Sequence, residues 1–446
     1  MRHTLALLPW ILGSLLVSAA HAAPQGEFDG PPPGGHPAAA SPAPVSASGP
    51  AVLLGSGRPA ILLTGYWPPS NEAVRRFSTN LAQNPLGWIG SNWEGRGYDV
   101  HAYFPEFSPP TCTSCGRGTG DLEVDYQDTT ADFWTIANAL EPIAIVTFSR
   151  TNADFSWEVE QNAYNFQTWT NDFTAPLQPT PTPPDASVPA QTLRTSTLPM
   201  QAIVDAVNGS GLGLNGFICT AVHSGSFLSG YIAYHGMWYQ SLHSSPQDPA
   251  WCIAAGHIHV GDTIAWPTAR AATELTVRTL IRRLDQVRGL AGEVFCQGDG
   301  VDPTHSTGCP CGNVGVAGNG CANSANADGA NLSATGTSNP DTLTLVGSGM
   351  PTNSACIYLQ GDALEDAPFG DGVRCAGGNL IRLRTKSNVG GASQYPEPGD
   401  PLVSVRGLVT PGSGARRYYQ TYYRNAAAAF CPPETFNVTN GRIVDW

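Results

Sequence analysis

Between residues 60 and 288, short apolar runs alternate with stretches in which apolar residues recur every three or four positions. Ala60–Thr64 (AILLT) and the runs at 98–104, 143–148, 214–219 and 252–260 read as strands. Such brief, nearly unbroken apolarity suits a strand buried on both faces. Segments 71–83, 129–140, 200–207, 227–242 and 268–288 read as helices; on the last, Val277, Leu280, Ile281 and Leu284 share one face. Strands alternating with helices predict an α/β domain over 52–292, built as three α/β/α layers around a mainly parallel sheet.

Past Cys296 the helical period vanishes, and Gly, Asn, Ser and Thr become frequent. Runs at 343–346, 357–359, 380–383, 402–405 and 418–423 read as short strands between turn signals. They predict a disulfide-rich, all-β, sandwich-like module over 296–446. Its CPCGNVGVAGNGCANS segment (309–324) carries Cys309, Cys311 and Cys321. A zinc finger would want paired Cys-x2–4-Cys units or histidines, so disulfides are the better reading.

The beginning of the chain adds a compartment. Arg2 and His3, an apolar stretch over 5–17 and Ala20-His21-Ala22 have the layout of a cleavable signal peptide, 1–22. A Pro/Ala/Gly-rich stretch over 23–51 reads as a disordered linker. No later segment offers a long uncharged apolar run, so no transmembrane segment is expected in the mature chain. Eleven cysteines in an exported chain imply disulfides, and the odd count leaves at least one thiol over. The expected location is secreted or cell-envelope. Net charge is −13, from 22 basic and 35 acidic residues. That excludes a nucleic-acid partner, because phosphate binding needs a basic stripe. Lys386 is the single lysine, which leaves Schiff-base chemistry one poor candidate.

Four segments carry the chemistry: ILLTGYWPPSNE (61–72), WEVEQNAYN (157–165), SFLSGYIAYHGMWYQSL (226–242) and AGHIHV (255–260). In this order they resemble the pyroglutamyl-peptidase I (pyrrolidone-carboxylate peptidase) family of cysteine peptidases. The resemblance spans roughly residues 58–290. It implies that Glu160 and His259 stand at the catalytic glutamate and histidine. It also places Tyr234, or Ala233 after a one-residue slip, where the nucleophilic cysteine belongs, with His235 following. Tyr66 and Trp67 lie in the turn that closes on the pyroglutamyl ring, and a Pro-rich loop (176–189) replaces another family segment. Cys219 and Cys252 are expected to pair as a disulfide, in preference to Cys219 serving as a displaced nucleophile.

The resulting expectation is an exported peptidase-like amide hydrolase with an altered active site and no cofactor. Its catalytic candidates are Glu160, His259, Tyr234 and His235; Tyr66, Trp67 and Arg150 would bind a small peptide or amide substrate. Two alternatives stay open: a catalytically inactive binding protein on the same fold, and a metal-dependent hydrolase. His257 and His259, two apart on a strand, point to one face, and with His235 they would form the metal set. If the fold holds, Glu160, His235 and His259 should lie close together; the bland reading leaves His257 in a packed strand and His235 facing solvent. A serine hydrolase lacks the G-x-S-x-G elbow, although Ser226 sits at a helix start. The acidic loop at 120–133 reads as a solvated cap for the following helix rather than a calcium site. In the C-terminal module, Tyr418 and Tyr422 alternate with Tyr419 and Tyr423, so one set should be core and the other exposed. An exposed row could bind a glycan or cell-surface ligand. FGDGVRCAGG (369–378) and FNVTNG (436–441) resemble an appendage on exported bacterial proteins, which implies an anchoring or binding role.

Overall fold

The computed structural model describes residues 57–111, 116–151, 154–220, 225–288, 292–298 and 305–446. The expected signal peptide and linker lie outside the described residues, as do Cys112 and Cys115.

Six strands form the sheet of the first unit: Ala60–Thr64 (β1), Asp99–Tyr103 (β2), Ala144–Arg150 (β3), Ser156–Glu160 (β4), Asn215–Cys219 (β5) and Ala254–Val260 (β6). Their order is β2-β1-β3-β6-β4-β5. The first four run parallel. Strand β4 is antiparallel to β6, and β5 is parallel to β4. The sheet is therefore mainly parallel, with a reversed pair at one edge. Helices cover both faces, as three layers require. Ser70–Val74 (α1), Met200–Gly209 (α3) and Trp266–Val287 (α5) pack on one side against Ile61, Leu63, Val146, Trp157 and Ile258. Tyr126–Leu140 (α2) and Leu228–Leu242 (α4) pack on the other against Leu62, Ile145 and Ala255.

Local chemistry sets several boundaries. Helix α2 starts three residues ahead of its sequence reading, because the Asp125 carboxylate accepts from the amides of Gln127 and Asp128. The helix expected over 71–83 is only α1 plus a 3-10 turn, Arg75–Phe77. It stops where Ser78 turns extended. Strand β4 is absent from the sequence reading.

The second unit is antiparallel. One sheet runs through Glu293–Phe295, Gly441–Asp445, Arg416–Arg424, Ala355–Gly361 and Ile381–Ser387, and Phe436–Val438 pairs onto Arg416–Arg424. A second sheet contains Asn331–Thr335, Thr344–Ser348 and Ser393–Tyr395. Leu332, Leu345, Tyr358, Leu383, Tyr395 and Tyr419 lie in the core between them. The strand expected over 402–405 is instead a one-turn helix, Val403–Arg406. Only Val403 and Ser404 are buried there, and Asp341 holds the Ser404 amide at 2.8 Å.

Among the described residues, three disulfides join Cys296 to Cys375, Cys309 to Cys321 and Cys311 to Cys431, so the cysteine–glycine knot is cross-linked as expected. The disulfide expected between Cys219 and Cys252 is not formed. Cys252 is a buried thiol facing the Ala254 carbonyl. The expected exposed tyrosine row is also missing. Tyr419 and Tyr423 are core residues, while Tyr418 packs on Phe295 and Tyr422 on Phe369 and Phe436. Nearby aromatic rings leave Tyr418 and Tyr422 half-buried where strand alternation would have exposed them.

Candidate functional site

Strand register gathers the polar residues. The outward positions of β3, β4 and β6 toward α1, α3 and α5 are apolar: Val146, Phe148, Trp157, Val159, Ile258 and Val260. The alternate positions carry Thr147, Ser149, Glu158, Glu160, His257 and His259, which period-two alternation turns toward α2 and α4. Glu158 lies opposite His259 and Glu160 opposite His257, while Ser149 and Thr147 flank the two histidines from β3. The patch is nearly dry: Glu160 is 2 % exposed and His259 7 %.

His259 is held by carboxylates. Its Nδ1 lies 2.8 Å from Glu160 Oε1 and 3.9 Å from Glu158 Oε2. With a carboxylate oxygen as acceptor, Nδ1 is the donor of the shorter contact. Burial, opposed chiefly by His259, raises the Glu158 carboxyl above its usual range. Ser156 Oγ also contacts Glu158 at 3.0 Å.

His257 is fixed by hydroxyls. Thr147 Oγ1 lies 2.8 Å from its Nδ1 and Ser149 Oγ 2.8 Å from its Nε2. Thr147 Oγ1 also faces the Gly256 carbonyl at 3.3 Å. If Thr147 gives its proton to that carbonyl, His257 donates through Nδ1 and accepts from Ser149. Full burial, then the neighbouring His259, lowers its pKa well below normal. The two imidazoles, 4.7 Å apart between centroids, share a face as expected.

The other candidates divide. Tyr234 points its hydroxyl at Asp185, 3.1 Å away, and lies beneath the Arg194 guanidinium. Asp185 comes from the Pro-rich loop, so that loop commits the Tyr234 hydroxyl to a hydrogen bond. His235, the next residue, is turned about 100° around the helix. It packs among Phe133, Trp134, Tyr231 and Trp238, and its Nδ1 accepts from Trp134 Nε1 at 3.1 Å. The metal set of His235, His257 and His259 is therefore not assembled, nor is the cluster of Glu160, His235 and His259. His235 does not face solvent either, being 1 % exposed. Tyr66 bonds Thr129 of α2 through its hydroxyl at 2.8 Å. Arg150 lies over the Trp67 ring, 5.1 Å from its centroid. Trp67 also packs against Phe227, which opens α4. Trp67, Arg150 and Phe227 thus meet at the carboxyl ends of β1 and β3, where open α/β sheets bind ligands.

Burial, weakly opposed by Asp185, pushes the His235 pKa down to about 3. The unfolded ring titrates near 6.5, so the unfolded chain takes up a proton that the folded one refuses. This part of the stability is complete above that pH and is lost as pH falls toward 3. At pH 5 the loss is about 2 kcal/mol. Thermal midpoints at pH 7.5 and 5 should fall further for the wild type than for His235→Phe; equal falls would contradict this.

Solved structures of similar shape include pyrrolidone carboxyl peptidase from Thermococcus litoralis: 15 % identity, TM-score 0.36, covering 52 % of this chain and 96 % of that one. Pyroglutamyl peptidase I from Bacillus amyloliquefaciens gives 15 % identity and a TM-score of 0.35, over 50 % and 97 % of the two chains. A variant of the Pyrococcus furiosus pyrrolidone carboxyl peptidase gives 13 % and 0.35, over 50 % and 99 %. No protein-family model and no curated protein matches the chain. The disulfides among the described residues belong with an extracellular or exported protein. Among the described residues, no helix is long and apolar enough to cross a membrane.

Sequence reasoning missed Glu158, Thr147 and Ser149. The alternation Ser156-Trp157-Glu158-Val159-Glu160 was the signal: apolar residues at 157 and 159 mark a strand with both glutamates on its other face.

Proposed function

We propose that the chain is an exported peptidase-like amide hydrolase with an altered active centre, built on Glu160 and His259. The observation that carries this reading is the 2.8 Å contact from His259 Nδ1 to the buried Glu160 carboxylate. It fixes the ring with Nδ1 as donor, and Nε2 would then be the proton acceptor that a general base needs. The four ordered motifs support the same assignment. Trp67 and Arg150 would hold a small peptide or amide through an aromatic face and a cation. With Tyr234 bound to Asp185, the attacking group would be water or another side chain.

A second reading, a binding protein that has given up catalysis, is favoured by that same loss of the thiol. The two separate in one assay. The purified chain is offered pyroglutamyl amides and a panel of other amino-acid amides, and release of the amine is followed. Turnover that disappears in His259→Ala supports the hydrolase. Saturable binding without amine release would favour the second reading and overturn the first.

A further inference from the structure

Glu158, Glu160 and His259 each offer one ligand atom, and the three atoms all lie within 4.8 Å of one another. They come from adjacent antiparallel strands, with Glu158 opposite His259 and Glu160 one diagonal step away, so the backbone ladder fixes their spacing. Two acidic groups and one imidazole would therefore share a buried face of the sheet.

A second observation is independent of the cluster's composition. Glu160 gives Oε1 to His259, but its Oε2 is buried with no hydrogen-bond partner among the described residues. An unsatisfied carboxylate oxygen is costly in a dry interior, and a bound cation would relieve that cost. The fourth polar neighbour, His257, is already satisfied at both ring nitrogens by Thr147 and Ser149, so it stands behind the cluster rather than in it.

We infer that Glu158, Glu160 and His259 form a binding site for one first-row divalent cation of the zinc type. One imidazole and two carboxylates suit zinc better than calcium or magnesium, which favour all-oxygen shells. Three protein ligands among the described residues would leave a fourth position for water, as hydrolytic zinc sites do. The inference rests on the proposed hydrolytic site and deepens it: His259 would give a ring lone pair to the cation, so the cation rather than the ring would activate the water that replaces the thiol. It also changes the expected ligands: His235 and His257 give way to Glu158 and Glu160.

The full chain, stripped with chelator, is titrated with Zn²⁺ by calorimetry and with Co²⁺ by visible absorption. One ion per chain is expected, with cobalt bands of a nitrogen–oxygen site. Glu158→Gln and Glu160→Gln should each weaken binding by at least about tenfold, and His259→Ala should remove the cobalt bands. Circular dichroism checks that each variant folds. Should His259→Ala fail to fold, the half-buried Glu158→Gln carries the test. No saturable binding, or equal affinity in folded wild type and Glu158→Gln, would overturn the site. Loss of the metal site leaves the Glu160–His259 hydrolase standing if amide turnover persists in metal-free protein and still depends on His259.

Discussion

Replacing His259 with alanine should reduce amide turnover by about 10²–10⁴-fold, the usual contribution of a positioned general base. The geometry states why the effect should be large. Nε2 is the ring atom left to accept a proton once Nδ1 is tied to Glu160 at 2.8 Å, and alanine removes both. Glu160→Gln is expected to fall in the same range by another route. An amide side chain can present its NH₂ to Nδ1, which would move the ring proton to Nε2 and leave the wrong tautomer for catalysis. The neighbouring His257→Asn should cost far less, because that ring is enclosed by Thr147 and Ser149 and serves as support. Steady-state kcat/KM for the three variants checks the order. Equal losses at His257 and His259 would mean that the whole polar face acts through structure alone.

The second large effect concerns stability. Cys311 and Cys431 are 120 residues apart in sequence, whereas Cys309 and Cys321 are 12 apart. In the chain-entropy account, cross-linking stabilises by restricting the unfolded chain, more so for longer loops. Removing the long-range bridge by Cys311→Ser with Cys431→Ser should cost about 2–5 kcal/mol, and about 2 kcal/mol more than Cys309→Ser with Cys321→Ser. Replacing both cysteines of a pair avoids a stray thiol. Thermal unfolding followed by circular dichroism under matched conditions measures the difference. Indistinguishable midpoints for the two double variants would contradict this ranking.

These expectations rest on features that the chain's pattern revealed unevenly. The buried parallel strands β1, β3 and β6 were legible because they are nearly continuous apolar runs. The polar end of β6 was legible too, since His257 and His259 must share a face if the segment is a strand. Strand β4 was harder to see. Its Trp157 and Val159 alternate with Glu158 and Glu160, which look like a solvated loop until the glutamates are placed against His257 and His259. Sequence similarity had singled out Glu160, but nothing in that similarity pointed to Glu158 one register step away.

Helix α4 misled for a different reason. Tyr234 and His235 are adjacent, and adjacent helical residues cannot face one target. Tyr234 goes to Asp185 in the Pro-rich loop and His235 goes to Trp134 on α2. Both partners are distant in sequence, more than 45 and 100 residues away respectively, and no local pattern announces them. The disulfides obey the same rule. The tight Cys309–Cys321 pairing sits inside one visible motif, while Cys296–Cys375 and Cys311–Cys431 depend on how the antiparallel strands come together.

Glu160 and His259 are expected to act as one unit, and a double-mutant cycle tests that most directly. Turnover of the best amide substrate is measured for the wild type, Glu160→Gln, His259→Ala and the double variant. The predicted result is that the double variant is no slower than His259→Ala alone, because the carboxylate has no role without its ring. Four equal rates, or a double variant slowed by the product of the two single losses, would contradict it.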